Sequence, residues 1–188
     1  QHKELLGFAT LHPAFEDIPG EVSRVAELGL RGVKLHPDFQ QFYIDDPAAF
    51  PIYDACAAAG LPILFHTGDA RYDWSAPARL AVVARRFPKL TCIAAHFGGY
   101  DHWQDVEVYR SLPNVWFDTS STLFKLPRDR ALELLDILGT RRFLFGTDFP
   151  MWDPKEEHAL FTSLDFTESE FEDMLHHNAE RFLDLKIQ

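Results

Sequence analysis

The chain has 188 residues, of which 46% are hydrophobic and 25% charged, so its composition is that of a folded globular protein. Its 29 acidic and 18 basic residues give a formal net charge of −11, which argues against nucleic-acid binding because such a surface repels phosphate backbones. No apolar run approaches the roughly 20 residues of a membrane span, and no secretion signal is visible near the start. We therefore expect a cytoplasmic protein with no membrane partner, and two buried free thiols, Cys56 and Cys92.

Short apolar runs recur along the chain and predict strands. They occupy residues 5–11, 32–35, 61–65, 90–95, 115–117 and 142–145. Most of them are apolar on both faces, which is typical of parallel strands that are buried on both sides. Successive runs start about 25 to 30 residues apart, which is about the length of one strand–helix unit.

The segments between these runs predict helices. Apolar residues recur in them at helical spacing, for example at Leu80, Val83 and Phe87. A proline begins one segment at residue 47, and glycines follow the segments that end at residues 59 and 138, as at many helix ends. The predicted helices cover residues 21–30, 47–59, 77–87, 128–138, 156–164 and 168–176, with Asn178 as the N-cap of a last one over 179–185.

Strands that alternate with helices predict an α/β fold with a parallel sheet. Two architectures fit this pattern, a barrel and an open doubly wound sheet. No glycine-rich phosphate loop follows any of the strands, which disfavours an open sheet that binds a phosphorylated ligand. No linker or composition break divides the chain, so we predict one domain over residues 1–188.

Polar residues at the ends of the predicted strands carry the main functional signal. His66, His96 and Asp148 each follow an apolar run and each lies within two residues of a glycine. The carboxyl ends of parallel strands share one face, where barrel active sites lie, so we expect these side chains to converge. Histidine and carboxylate together are ligands that zinc and similar cations select. A single histidine is more often structural, and Asp148 could cap a helix, but three such residues are harder to explain in that way.

Other polar residues near the strand ends have weaker assignments. His12 and His36 both precede proline and fit a turn. Asp118 is followed by Thr119 and two serines, a pattern that favours a local hydrogen-bonded turn. Lys34 could point into the barrel and neutralise the carboxylates of the rim, or it could form a partly buried structural ion pair.

Four segments together resemble the amidohydrolase superfamily, in particular its amidohydrolase-related (amidohydrolase 2) branch of metal-dependent hydrolases and decarboxylases. They are residues 32–37 (GVKLHP), 64–68 (LFHTG), 95–99 (AHFGG) and 145–150 (FGTDFP), and residues 178–183 (NAERFL) resemble the closing helix of that branch. The resemblance implies a (β/α)8 TIM-type barrel. The predicted strands would be barrel strands 3 to 8, so about six of the eight units would be present.

The same resemblance implies roles by position. His66 resembles a metal ligand after the fifth barrel strand, and Asp148 resembles a ligand after the eighth that also handles the proton of the attacking water. His96 resembles a ligand of a second metal or, in one-metal members, a catalytic acid/base. The chain contains no His-x-His pair, which the family carries on its first strand. We expect two upstream units, on the order of 70 to 90 residues, to carry that pair.

The implied function is metal-dependent hydrolysis of a small carboxylate, lactone or amide, with zinc favoured over manganese or iron as the divalent cation. Asp148 and His96 are the predicted catalytic residues. The predicted substrate-binding residues are Lys34, His36, Phe97 and Trp152. Two alternatives stay open: non-oxidative decarboxylation of a small aromatic acid at the same site, and a catalytically silent barrel that serves as a binding module. A small molecule is the expected partner, and association into a homo-oligomer is left open.

Overall fold

A single sheet of six parallel strands forms the centre of the computed structural model, which describes residues 5–183. The strands are β1 (Ala9–Thr10), β2 (Val33–Leu35), β3 (Ile63–Phe65), β4 (Cys92–Ala94), β5 (Val115–Asp118) and β6 (Phe143–Leu144). Their order in the sheet is their order in the chain, and every neighbouring pair is parallel. An open doubly wound sheet reverses its strand order at a switch point. The observed order is therefore that of a barrel wall, and the predicted α/β fold is confirmed.

The two faces of the sheet differ in burial. Val33, Leu35 and Ile63 are fully buried on the face that the helices cover. Lys34 and Leu64 pair across β2 and β3 and are only partly buried on the opposite face, which looks into the barrel. Because side chains alternate along a strand, the apolar outer positions fix the sheet against the helices while the inner positions remain free to line a site.

Helices follow most of the strands, close to the predicted positions. They are α1 (Ile18–Glu27), α2 (Pro37–Gln40), α3 (Phe50–Ala59), α4 (Pro77–Arg86), α5 (Arg128–Leu138), α6 (Pro154–Thr162), α7 (Glu168–Glu172) and α8 (Asn178–Leu183). Asp17 begins α1 by accepting a hydrogen bond from the Gly20 amide, and Gly60 ends α3 with a left-handed φ of 67°. The short helix α2, which directly follows β2, has no counterpart among the predicted helices.

The connection into α8 differs from the prediction. Asn178 has helical φ and ψ angles of −62° and −42°, so it continues the chain from a π-helical turn over Asp173–His177 and is not an N-cap. Its side chain is fully buried, and Nδ2 donates to the carbonyl oxygens of Thr140 (3.0 Å) and Phe143 (2.6 Å). The predicted end of this helix at residue 185 lies outside the described residues.

The C-terminal segment also completes one edge of the sheet. Within residues 5–183, β6 pairs with β5 alone, so its second edge needs other hydrogen-bond partners. The amide of Phe145 donates to the carbonyl of Met174 (2.8 Å), and Asn178 reaches the carbonyl of Phe143. Unpaired backbone groups at a sheet edge are costly when buried and invite association when exposed. The last helical segment therefore holds the strand that leads to Asp148.

Both cysteines are buried and free, as predicted, with Cys56 in α3 and Cys92 in β4. Burial raises the pKa of the Cys56 thiol to about 12, so this thiol serves packing and not nucleophilic chemistry. Across residues 5–183, none of the helices combines the length and the apolar character that crossing a membrane requires.

We predict that Asn178→Ala destabilises the protein by about 2 to 3 kcal/mol, because it leaves two buried carbonyl groups without their donor. Urea unfolding, followed by circular dichroism, measures this loss. Gln104→Ala is the matched control, since Gln104 is exposed and its amide contacts only the neighbouring Asp105. An Asn178→Ala midpoint equal to that of the control would contradict the role of Asn178 at the β6 edge.

Candidate functional site

His36 is the first residue beyond β2, and hydrogen bonds fix its position. Its amide donates to Oε1 of Gln40 (2.7 Å), and Nε2 of Gln40 donates to the carbonyl of Leu11 (2.6 Å). The His36 ring stacks on the ring of His66, with centroids 3.9 Å apart and planes 10° from parallel. His12 lies beside this arrangement and contacts the Gln40 carbonyl through Nε2 at 3.0 Å. Helix α2 thus holds the His36 ring against the ring of His66, which lies at the end of the next strand.

The structure brings His66 and His96 into direct contact. Nδ1 of His66 lies 3.0 Å from Nε2 of His96. These residues are 30 positions apart, but each directly or closely follows its strand, and β3 and β4 are neighbours in the sheet. The convergence that the sequence predicts for this pair is therefore present.

The second nitrogen of His96 is held by the turn after β5. Nδ1 of His96 lies 3.2 Å from the carbonyl of Ser120 and 3.0 Å from its hydroxyl, which itself donates to Oδ1 of Asp118 at 2.6 Å. Oδ1 of Asp118 also accepts from the amides of His96 and Ser120, both at 3.0 Å. Since a carbonyl only accepts, this contact places the proton of neutral His96 on Nδ1 and leaves a lone pair on Nε2.

Three of the predicted site residues, His96, Phe97 and Asp148, have left-handed backbone conformations, and two of them carry the predicted chemistry. His96 has a φ of 61° and Asp148 a φ of 54°, in the left-handed region that residues other than glycine rarely adopt. Such conformations cost about 1 to 3 kcal/mol each and are concentrated at functional sites. His96 and Asp148 both lie in the turns that follow their strands, beyond the ends of β4 and β6.

Asp148 is held by a short chain of hydrogen bonds. Its Oδ2 accepts from the hydroxyl of Ser121 (2.8 Å), which accepts in turn from Nε1 of Trp152 (2.8 Å). Asp148 does not cap the following helix, because Asp153 does so by accepting from the amide of Lys155. One carboxylate oxygen of Asp148 is therefore fixed by protein groups, and the carboxylate remains on the wall of the site.

These residues share one cavity of about 320 Å³ at the carboxyl ends of the strands. Six of the seven predicted site residues line it, namely Lys34, His36, His66, His96, Asp148 and Trp152. Phe97 does not line it: its side chain is fully buried in the core and packs on Phe143 with ring centroids 4.9 Å apart. The left-handed turn at His96 and Phe97 directs these successive side chains to different sides of the sheet, so Phe97 belongs to the packing layer.

The sequence did not predict several residues of the cavity wall. Phe39 and Met151 contribute apolar surface, and Arg71 contributes a cation. Arg71 is held by Asp69, whose Oδ2 accepts from Nη2 of Arg71 at 2.7 Å. These residues lie in loops and in the short helix α2, where no periodic pattern indicates which way a side chain points.

Burial keeps the imidazoles of the site neutral. It lowers the pKa of His36 to about 4 and that of His66 to about 2, with nearby Lys34 acting in the same direction on both. It also lowers the pKa of His96, although Asp118 and Asp148 oppose the shift. Burial lowers the pKa of Lys34 as well, again against the pull of these two carboxylates. Neutral imidazoles with free lone pairs are the form of histidine that binds metal ions.

Asp38 is a buried carboxylate beside the site that was not among the predicted residues, and its Oδ2 lies 3.9 Å from Nε2 of His66. Its side chain is buried, and neither Oδ1 nor Oδ2 has a hydrogen-bond partner within residues 5–183. Donor atoms of His36, Asp38 and His66 all lie within 4.8 Å of one another, as the ligands of one cation do. His96 and Asp148 do not join His66 in such a group. The donor types and the orphaned carboxylate both fit a divalent metal.

A family comparison agrees with this geometry. The model of the amidohydrolase family matches residues 2–185. The chain belongs to the amidohydrolase family. None of the curated proteins matches it in sequence.

Solved structures show the same fold at low sequence identity. An uncharacterized TIM-barrel protein from Bordetella bronchiseptica is 26% identical with a TM-score of 0.79, over 93% of this chain and 65% of that one. A dihydroxybenzoic acid decarboxylase from Polaromonas sp., with bound manganese and the inhibitor 2-nitroresorcinol, is 19% identical with a TM-score of 0.72, over 97% and 70%. A proposed 2-pyrone-4,6-dicarboxylic acid hydrolase from Pseudomonas putida is 17% identical with a TM-score of 0.74, over 100% and 75%. The chain therefore spans about two thirds to three quarters of the length of these barrels.

We predict that the metal-free protein loses stability as the pH falls from about 6.5 toward about 4. The pKa of folded His36 is about 4, below the value of about 6.5 in an unfolded chain, so the unfolded state binds the proton first. Urea midpoints at about pH 7 and about pH 5, measured with a chelator present, test this expectation.

His36→Asn is the matched variant, because asparagine can still cap α2 but does not titrate in this range. Its midpoint should fall less than that of the wild type over the same pH interval. Equal losses in both proteins would exclude His36 as a source of the acid sensitivity.

Proposed function

We propose that the protein is a metal-dependent enzyme that acts on a small carboxylic acid with a flat ring, and that hydrolysis is its primary reaction. The observation that carries this proposal is the convergence of three imidazoles, those of His36, His66 and His96, with the carboxylate of Asp148 on one cavity at the strand ends. The left-handed backbone at His96 and Asp148 agrees with this proposal, because such conformations are concentrated at functional sites.

A divalent cation supplies Lewis-acid chemistry, in that it polarises a substrate oxygen and acidifies water. His66 is the ligand common to the predicted set and to the group of donors that lie within 4.8 Å. The manganese in the Polaromonas decarboxylase supports testing manganese beside zinc. The choice among zinc, manganese and iron is left to measurement.

Asp148 and His96 are assigned the proton transfers. The hydrogen bond from Ser121 holds one oxygen of Asp148, so this carboxylate can accept a proton from water without reorienting. The Asp118–Ser120 turn fixes the His96 ring, and its Nε2 is assigned the second proton transfer, for which the 3.0 Å contact with Nδ1 of His66 has to open. Hydrolysis needs such a base beside the reacting carbon, and a carboxylate can return the proton to the leaving group.

The walls of the cavity favour an anionic, flat substrate. Lys34 and Arg71 are cations on a surface that also contains Phe39, Tyr100 and Trp152. A cation in a partly buried site forms a charge-assisted hydrogen bond with a carboxylate. A flat ring of the substrate can stack on the aromatic side chains.

Non-oxidative decarboxylation is the second candidate, and the same aromatic wall favours it. An aromatic acid that lies against this wall would bring its carboxylate toward Lys34 and its ring carbon toward a proton donor. The Polaromonas neighbour is named for this type of reaction. Measurement of carbon dioxide release beside hydrolysis separates the two candidates.

We predict that Asp148→Asn lowers kcat by about a hundredfold to ten-thousandfold, because the amide cannot accept a proton. The assay uses the purified protein loaded with zinc or manganese and a panel of ring carboxylates, lactones and amides. Asp153→Asn is the matched control, since Asp153 lies five residues further on and only caps α6. Turnover by Asp148→Asn at the rate of the control would remove Asp148 from the mechanism.

We also predict that Lys34→Met raises KM for a ring carboxylate by about tenfold or more, the usual cost of losing a hydrogen bond to a charged group. The KM for the methyl ester of the same acid should change much less, because the ester carries no charge. Equal effects on acid and ester would indicate that Lys34 supports the fold and does not bind the carboxylate.

A further inference from the structure

We infer that Trp152 is a positioning residue for Asp148 and acts on this carboxylate through the hydroxyl group of Ser121. The inference rests on the proposed function, in which Asp148 accepts a proton from water, and it gives Trp152 a role other than the predicted contact with substrate. The three side chains lie on one cavity wall. The turn after β5 carries Ser121, and the turn after β6 carries both Asp148 and Trp152.

The direction of the two hydrogen bonds at Ser121 is the first argument. An indole nitrogen only donates, so the 2.8 Å contact between Nε1 of Trp152 and Oγ of Ser121 makes the serine oxygen an acceptor. The single hydroxyl proton of Ser121 is then directed to Oδ2 of Asp148, which lies 2.8 Å from Oγ. Both bonds therefore run the same way, from the indole through the hydroxyl to the carboxylate.

The freedom of a serine hydroxyl is the second argument. A hydroxyl group rotates to suit its neighbours, so a fixed donor on its oxygen restricts where its proton points. Hydrogen bonds in series also polarise one another, and the effect is larger away from bulk water. Ser121 is buried, so the bond from Trp152 both aims and strengthens the bond to Asp148.

The backbone and the packing of the two turns hold this arrangement. Ser121 has a left-handed φ of 51°. The amide of Met151 donates to the carbonyl of Asp148 (2.9 Å), so the chain doubles back and Trp152 returns to the same serine. The indole packs on Phe124, with ring centroids 4.4 Å apart and planes at 37°. Protein thus covers one face of the indole, which favours a role in holding the site over a role in contacting substrate.

Two variants separate the parts of this chain of bonds. Trp152→Phe removes the indole N–H but keeps an aromatic ring beside Phe124, and Ser121→Ala removes the hydroxyl group. Trp74→Phe is the matched control, because Trp74 stacks on Tyr72 and is not part of the cavity wall.

The first measurement does not depend on turnover. The chain has four tryptophans, and in protein labelled with ¹⁵N-tryptophan the indole signal that is missing from Trp152→Phe belongs to Trp152. In Ser121→Ala we expect this signal to move away from the chemical shift of a hydrogen-bonded N–H. Its proton should exchange with solvent about fivefold to tenfold faster, as expected for the loss of one hydrogen bond. An unchanged signal with an unchanged exchange rate would overturn the inference.

The second measurement is a double-mutant cycle on kcat. For Ser121→Ala we expect kcat to fall about tenfold to a hundredfold, the cost of a hydrogen bond to a charged group, and for Trp152→Phe about threefold to tenfold. KM should stay unchanged in both variants and in the Trp74→Phe control. Adding Trp152→Phe to Ser121→Ala should lower kcat no further, because the indole acts only through the hydroxyl group.

The outcomes separate the inference from the proposed function. If Trp152→Phe raises KM by the same factor with and without the Ser121 hydroxyl, Trp152 contacts the substrate directly and the inference is overturned, while the proposed enzyme stands. Effects on kcat that multiply in the double variant overturn it in the same way. If no ring carboxylate, lactone or amide is turned over, the proposed function fails and Asp148 loses the role on which the inference rests.

Discussion

Parallel pairing in register between neighbouring strands is the constraint on which the site depends. Leu35 pairs with Phe65, and Phe65 pairs with Ala94, so β2, β3 and β4 end at one level. The first residue beyond β2 and β3 is a histidine in each case, and the level ends bring the rings of His36 and His66 into a stack. A slip of one residue would turn a histidine outward and an apolar side chain inward. The buried apolar positions on the outer face prevent that slip.

The strands and the imidazole pair could be predicted because their signal is local. An apolar run of three to five residues followed at once by a polar residue shows where a buried strand meets the rim, and His66 satisfies this rule. Phe97 was predicted at the rim because it follows the same apolar run, but the chain leaves β4 at Ala94 and then turns through left-handed conformations, which bury Phe97 in the core. Alternation between two faces holds only while the backbone stays extended. The wrong assignment therefore arose where the strand geometry had already ended.

Asp38 and Arg71 could not be predicted, for a different reason. Asp38 is three residues beyond β2, and it comes close to His66 because α2 folds the chain back in a single turn. Arg71 owes its direction to an ion pair with Asp69 inside a loop. In both cases the side chain is oriented by contacts that form only after the loop has closed, and no periodic pattern encodes such contacts. Asn178 belongs to the same class, since its role depends on Thr140 and Phe143, more than 30 residues earlier.

The closure of the β6 edge by the C-terminal segment has a consequence for the order in which the protein is made. Synthesis proceeds from the N-terminus, and domains begin to fold as they emerge from the ribosome. The strands that carry the three imidazoles emerge well before Met174 and Asn178, whose contacts hold β6. A nascent chain would thus possess its histidines before the strand that leads to Asp148 has a complete edge. The histidines would be in place first, and competence for proton transfer would follow only after the segment around Asn178 has emerged.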